Sequence, residues 1–121
     1  MSDDDHGSAR ADLWDAIDDL GKWLDAERDR AGGARSPADG REDLLLRILK
    51  LSEEVGEVAQ AVIGATGQNP RKGVTHTWDD VQSELCDVVI TSMVALRTLT
   101  PDAREVFARH LARVTARSLG G

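Results

Sequence analysis

Cysteine is nearly absent from this chain: Cys86 stands alone among 121 residues. A lone cysteine forms no internal disulfide. With three scattered histidines, His6, His76 and His110, it supplies no ligand set for structural zinc. Proline is almost as scarce: Pro37, Pro70 and Pro101 stand far apart, each where a helix would begin or end. No run of about 18 apolar residues occurs, which excludes a transmembrane helix. Basic residues are outnumbered 15 to 22, for a net charge of −7. That sign disfavours nucleic-acid phosphates and anionic membranes, since both require clustered lysine and arginine. The stretch Met1 to Arg10 is acidic and polar, unlike a secretory signal. Together these absences predict a cytoplasmic protein with no membrane partner and no nucleic-acid partner.

What is present has helical spacing. The β-branched residues nowhere alternate with polar ones over a long stretch, so the fold class expected is all-α. Residues 1–10 read as a disordered acidic tail, and 11–121 as a single all-α domain of four helices. The first helix is expected over 11–30, with Leu13, Ile17, Leu20 and Leu24 as its apolar stripe. The segment AGGARSPADGR, 31–41, reads as a linker. The second helix is expected over 42–64, striped by Leu44, Ile48, Leu51, Val55, Val58 and Val62. Gly64 then opens the breaker-rich loop GATGQNPRKGVTH. Thr77 and Asp80 form a capping-box pattern for a third helix, which runs to Leu99 with Val81, Leu85, Val88, Ser92, Ala95 and Leu99 on one face. Thr100 as N-cap and Pro101 in the first turn begin a fourth, ending near Arg117. Leu45, Leu46, Leu49, Val89, Ile90 and Met93 leave the second and third helices apolar on further sides. One short chain cannot cover so much apolar surface, so a homo-oligomer is expected.

The informative residues are acidic. Glu54 and Glu57 stand three apart on the second helix, Glu84 and Asp87 three apart on the third. Helical geometry places each pair roughly 80–110° from the centre of its stripe, at the border of the core. Packing the helices antiparallel through those stripes brings four carboxylates together. Their mutual repulsion is relieved by a hard divalent cation with oxygen ligands, Mg²⁺ or Mn²⁺. Such an ion binds nucleotide phosphates and acidifies water. Glu53, beside the first pair, is the candidate to deprotonate the attacking water. Lys50, one turn earlier, is either an i, i+4 partner of Glu54 or a phosphate contact. A single Glu-x-x-Glu is commonly just a solvated face; two pairs bordering neighbouring stripes are a stronger pattern. Iron chemistry would need Glu-x-x-His, and no histidine here follows a glutamate by three residues.

The words LKLSEEVGEVAQA and SELCDVVITSMVAL, with Glu54-Val-Gly-Glu57 and Glu84-Leu-Cys-Asp87 inside them, resemble the MazG-like all-α NTP pyrophosphohydrolases, relatives of the dimeric dUTPases. The resemblance covers about 43–99. It implies Mg²⁺-dependent hydrolysis of a nucleoside triphosphate to monophosphate and pyrophosphate, as house-cleaning of noncanonical or pyrimidine nucleotides. It also implies Glu54, Glu57, Glu84 and Asp87 as metal ligands, an assisting role for Glu53, and a homodimer or homotetramer. The chain departs from the family at its end. RHLARVTARSLG lacks the Asn and Tyr that contact the nucleotide in many members, and the chain has no tyrosine at all.

Three further features admit both plain and functional readings. Arg71 and Lys72, flanked by Gly73 in the long loop, are candidate phosphate contacts or a solvated loop; no GxxxxGK[ST] motif is present. Trp14, Trp23 and Trp78 read as core or interface residues, with Trp14 also a candidate base-stacking platform. Arg109, Arg113 and Arg117 form a basic row on the last helix, and Cys86 reads as a small packing residue. The competing function is a non-catalytic helical module for nucleotide sensing or protein interaction.

Overall fold

The computed structural model describes residues 13–32 and 37–120, apart from the side chains of 32 and 37–39. The tail expected over 1–10 lies outside them. The fold is all-α with four helices: α1, Leu13–Gly32; α2, Pro37–Thr66; α3, Trp78–Leu99; and α4, Ala103–Leu119. Among the described residues, no helix is long and apolar enough to cross a membrane.

Helix ends shift by a few residues from expectation, α1 closing at Gly32 and α4 at Leu119, and three of the shifts have a local cause. α2 begins at Pro37, five residues inside the expected linker. Proline at the first helical position loses no hydrogen bond and has its φ already set, so it starts the helix here. Gly64 does not end α2. The helix continues to Thr66, and Gly67 follows with φ +67°. The Gln68 N–H donates to the Ile63 carbonyl at 3.3 Å, the bond that closes a helix on a left-handed residue. Finally, α4 begins at Ala103 with Asp102 before it, whose side chain makes no capping bond. Thr100 still donates its N–H to Leu96 and belongs to the end of α3; its hydroxyl accepts the Asp102 N–H at 3.2 Å. Pro101 disfavours helical backbone at the residue before it, which separates the two helices.

The start of α3 is as expected. The Asp80 carboxylate accepts the Thr77 N–H at 2.9 Å, and the Thr77 hydroxyl accepts the Asp80 N–H at 3.1 Å. The reciprocal pair satisfies two otherwise orphaned donors.

Backbone packing groups the described residues into two compact units, 13–32 with 96–120, and 37–95. In the first, Trp14 and Ile17 are buried, and Trp14 meets Phe107 with ring centroids 6.3 Å apart at 58°. Leu13, expected on the stripe, is exposed. The interior line of α1 is instead Trp14, Ile17, Gly21 and Leu24. Gly21 belongs there because the Arg97 side chain crosses it: a methyl at Gly21 would lie 2.5 Å from Arg97 Nη1. Arg97 pairs with Asp18 at 3.2 Å and Asp25 at 3.6 Å, and Arg104 with Asp15 at 3.2 Å.

The second unit is a helical hairpin of α2 and most of α3. Gly64 abuts Thr75 and His76, while Glu54, earlier on α2, meets Glu84 and Asp87, later on α3; the two helices therefore run antiparallel. The inward positions of α2 include Leu44, Arg47, Leu51, Glu54, Val58, Ala61 and Ala65; those of α3 include Val81, Glu84, Val88, Thr91 and Ala95. Spacings alternate three and four, the period of a two-helix seam. The expected stripes had taken Ile48, Val55, Leu85 and Leu99 as inward, and all four are exposed.

Candidate functional site

The corrected helix phase changes the standing of the acids. Glu54 and Glu84 do not border the seam; they occupy it. Glu54 is 8% exposed, the one buried charged residue among those described. Single ligand oxygens of Glu54, Glu84 and Asp87 all lie within 4.8 Å of one another. Glu57, the fourth acid expected here, is exposed and stands beside Glu84.

This arrangement is electrostatically unfavourable on its own. Burial raises the pKa of Glu84 above its ordinary value; hydrogen bonding with Glu57 and the negative charges of Glu57, Asp87 and Glu54 raise it further. Glu84 Oε2 is buried and has no hydrogen-bond partner. Its neighbours are carboxylates, which can donate only when protonated. Lys50 places its Nζ 3.7 Å from Glu54 and 3.9 Å from Glu53. Lys50 and Glu53 are both largely exposed, so this cation remains in water and screens the seam weakly.

The donor set is all carboxylate oxygen, one acid is buried, and one buried oxygen lacks a donor. These features fit a divalent cation, which would bond the orphaned oxygen and offset the repulsion. Glu54, Glu84 and Asp87 can hold such an ion.

The other expected site residues are scattered. Arg71 is exposed, its backbone N–H bonded to Asn69 Oδ1 at 3.1 Å. Lys72 lines a cavity of about 240 Å³ with Gln60, Gly64, Asn69, Thr75 and His76. Sequence reasoning missed Gln60, Thr75 and His76. Their signal was faint: Gln60 lies three residues beyond Glu57, and His76 immediately precedes a capping threonine. Trp14 belongs to the other unit, where its ring is buried against Phe107. Trp23 and Trp78 are each 58% exposed, so neither is a core residue of this chain. Cys86 is exposed, not packed, because the inward positions around it are Glu84 and Val88.

No protein-family profile, no curated protein and no solved structure matches this chain.

Proposed function

We propose that the α2–α3 hairpin is the metal-dependent site of a nucleoside triphosphate pyrophosphohydrolase, with Mg²⁺ as the ion and Mn²⁺ as its substitute. One observation carries this reading. Two glutamates occupy inward positions of one helical seam, with an aspartate beside them, and a buried oxygen among them has no donor. A structural seam would place leucine or valine at those positions; acids there point to an ion.

Glu54, Glu84 and Asp87 hold the ion, and Glu57 completes the acidic wall beside Glu84. When bound, Mg²⁺ supplies neutralisation of phosphate charge and Lewis-acid activation. Glu53, exposed next to Glu54, accepts the proton of the attacking water. Lys50, between Glu53 and Glu54, orients both carboxylates through its ion pairs, and in this reading its ammonium also contacts a phosphate. The α–β anhydride breaks, and monophosphate and pyrophosphate are released. The large apolar side chains exposed on the same hairpin, including Leu45, Leu46, Leu49, Leu85 and Val89, are covered by further copies of the chain in a homodimer or homotetramer. The work assigned to such a site is the removal of noncanonical or pyrimidine nucleotides.

The test is pyrophosphate release from a panel of nucleoside triphosphates, detected as phosphate after adding inorganic pyrophosphatase. Release is expected with Mg²⁺, and none after chelation or in Glu54→Gln. If no nucleotide is cleaved at high protein concentration, the hairpin is a binding module, not an enzyme.

A further inference from the structure

We propose that the cavity at the closed end of the α2–α3 hairpin is an anion subsite that takes a phosphate group, with Lys72 as its charged donor. The cavity is small, about 240 Å³. That is below the usual range for a site enclosing a whole drug-sized ligand, and suits a phosphate or pyrophosphate better than a complete nucleotide.

Its polar lining is Gln60, Asn69, Lys72, Thr75 and His76, with no carboxylate among the described residues, in a chain where acids outnumber bases. Lys72 has no ion-pair partner among the described residues, so its charge is available. Both acceptors of Asn69 are used within the loop. Asn69 Oδ1 takes the Arg71 N–H at 3.1 Å, and the Asn69 carbonyl takes the N–H groups of Lys72 and Gly73 at 3.1 and 2.9 Å. What Asn69 has left is its NH₂ group, a donor, alongside the Gln60 amide and the Lys72 ammonium.

The lining is also held in place. The Thr75 N–H bonds the Gly64 carbonyl at 3.0 Å, and the Thr75 hydroxyl lies 2.9 Å from His76 Nδ1. Gly64 is buried, and a methyl there would collide with both the His76 ring and the Thr75 hydroxyl. These contacts fix the Thr75 and His76 wall of the cavity, against which the longer Lys72 and Gln60 side chains close.

Gln60 lies six residues after Glu54, about 9 Å along the axis of α2, with Glu57 midway between them. The cavity therefore continues the row of residues that leads from the acidic cluster. In the reading above it holds the pyrophosphate end of the triphosphate, and its role in the reaction rests on that reading. Its affinity for phosphate does not.

The experiment is an amide NMR titration of the full chain in metal-free, phosphate-free buffer with pyrophosphate, inorganic phosphate and uridine. Saturable shifts at Gly64, Gly73 and Thr75 are expected with pyrophosphate, weaker ones with inorganic phosphate, and none with uridine. Lys72→Gln should weaken pyrophosphate binding about tenfold, the worth of one charge-assisted hydrogen bond. Gly64→Ala, checked for a folded spectrum, should abolish the shifts by displacing His76 and Thr75 from the cavity wall. An unchanged dissociation constant in Lys72→Gln, non-saturating shifts spread over the surface, or uridine binding at these amides would each overturn the proposal. Mn²⁺ broadening at Glu54 and Glu84, read on a separate sample free of phosphate and pyrophosphate, reports the metal reading independently. Pyrophosphate binding without that broadening would sink the metal site and keep the subsite; broadening without pyrophosphate binding would do the reverse.

Discussion

At the scale of one residue, the electrostatic strain of the acidic cluster falls on Glu84. Its pKa is raised by burial, by the hydrogen bond with Glu57 and by the acids around it, so the metal-free fold holds this proton more tightly than the unfolded chain does. The contribution of Glu84 to stability is therefore full below the ordinary carboxylate range and is lost as pH rises through the elevated pKa. At neutral pH the metal-free protein carries that destabilisation. Glu84→Gln should raise the metal-free melting temperature at pH 7 and leave it unchanged near about pH 3, below the ordinary carboxylate range. Thermal scans at the two pH values check this; equal melting temperatures for the variant and the parent at pH 7 would contradict it. Mn²⁺ or Mg²⁺ should raise the melting temperature of the parent protein, because a ligand bound only by the folded state stabilises it by mass action. Glu84→Gln should remove most of that rise. Differential scanning fluorimetry against ion concentration reads both effects, with Ca²⁺ and Na⁺ as controls for charge alone.

The elements show which local rules held. The Thr77–Asp80 box was legible because a capping box needs only two residue types at a fixed spacing. Its hydrogen bonds to Thr77, the backbone one foremost, hold the Asp80 carboxyl below its ordinary pKa, and neighbouring His76 adds to the effect. The sign is opposite to that of Glu84: this contribution is present above the ordinary carboxylate pKa and is lost as pH falls through the lowered one. Thr77→Ala should cost about 1 kcal/mol in a urea melt at pH 7. The glycines separate by surroundings rather than by type. A methyl at Gly56 meets nothing within 4 Å, so Gly56→Ala should stabilise α2 by about 0.5–1 kcal/mol through helix propensity, if no other copy packs there. Gly21→Ala should destabilise despite the same propensity gain, by displacing Arg97 from Asp18 and Asp25. Gly64 was misread as a helix end because its sequence neighbours look like a loop; its absent side chain makes room for His76 and Thr75.

For the whole molecule, the tension lies between acids turned inward and leucines turned outward. Leu45, Leu46, Leu49 and Leu85 are each more than half exposed, while Glu54 is buried. Water disfavours that inversion in an isolated chain, and association of chains through the apolar face, as proposed, would remove most of the cost. Sedimentation should show a dimer or tetramer. Leu49→Glu combined with Val89→Glu should lower the mass to that of one chain while circular dichroism keeps its helical signal. A monomer in the unaltered protein, at all concentrations, would count against oligomeric coverage of this face.

The amino-acid order by itself determined the helical class, the four segments, the capped start of α3 and the identity of the acids. Each of these rests on local spacing, on breakers or on composition, which act within a few residues. Only the tertiary structure decided the rotation of each helix about its axis. The apolar residues of α2 and α3 are spread around more than one side, so hydrophobicity alone fits several phases. Packing against the partner helix selects the phase in which Glu54 and Glu84 face inward. That choice turns Glu54 and Glu84 inward with Asp87 beside them at the exposed edge, and it brings Gly64 against His76, where the segment 60–76 folds back on itself to line a cavity.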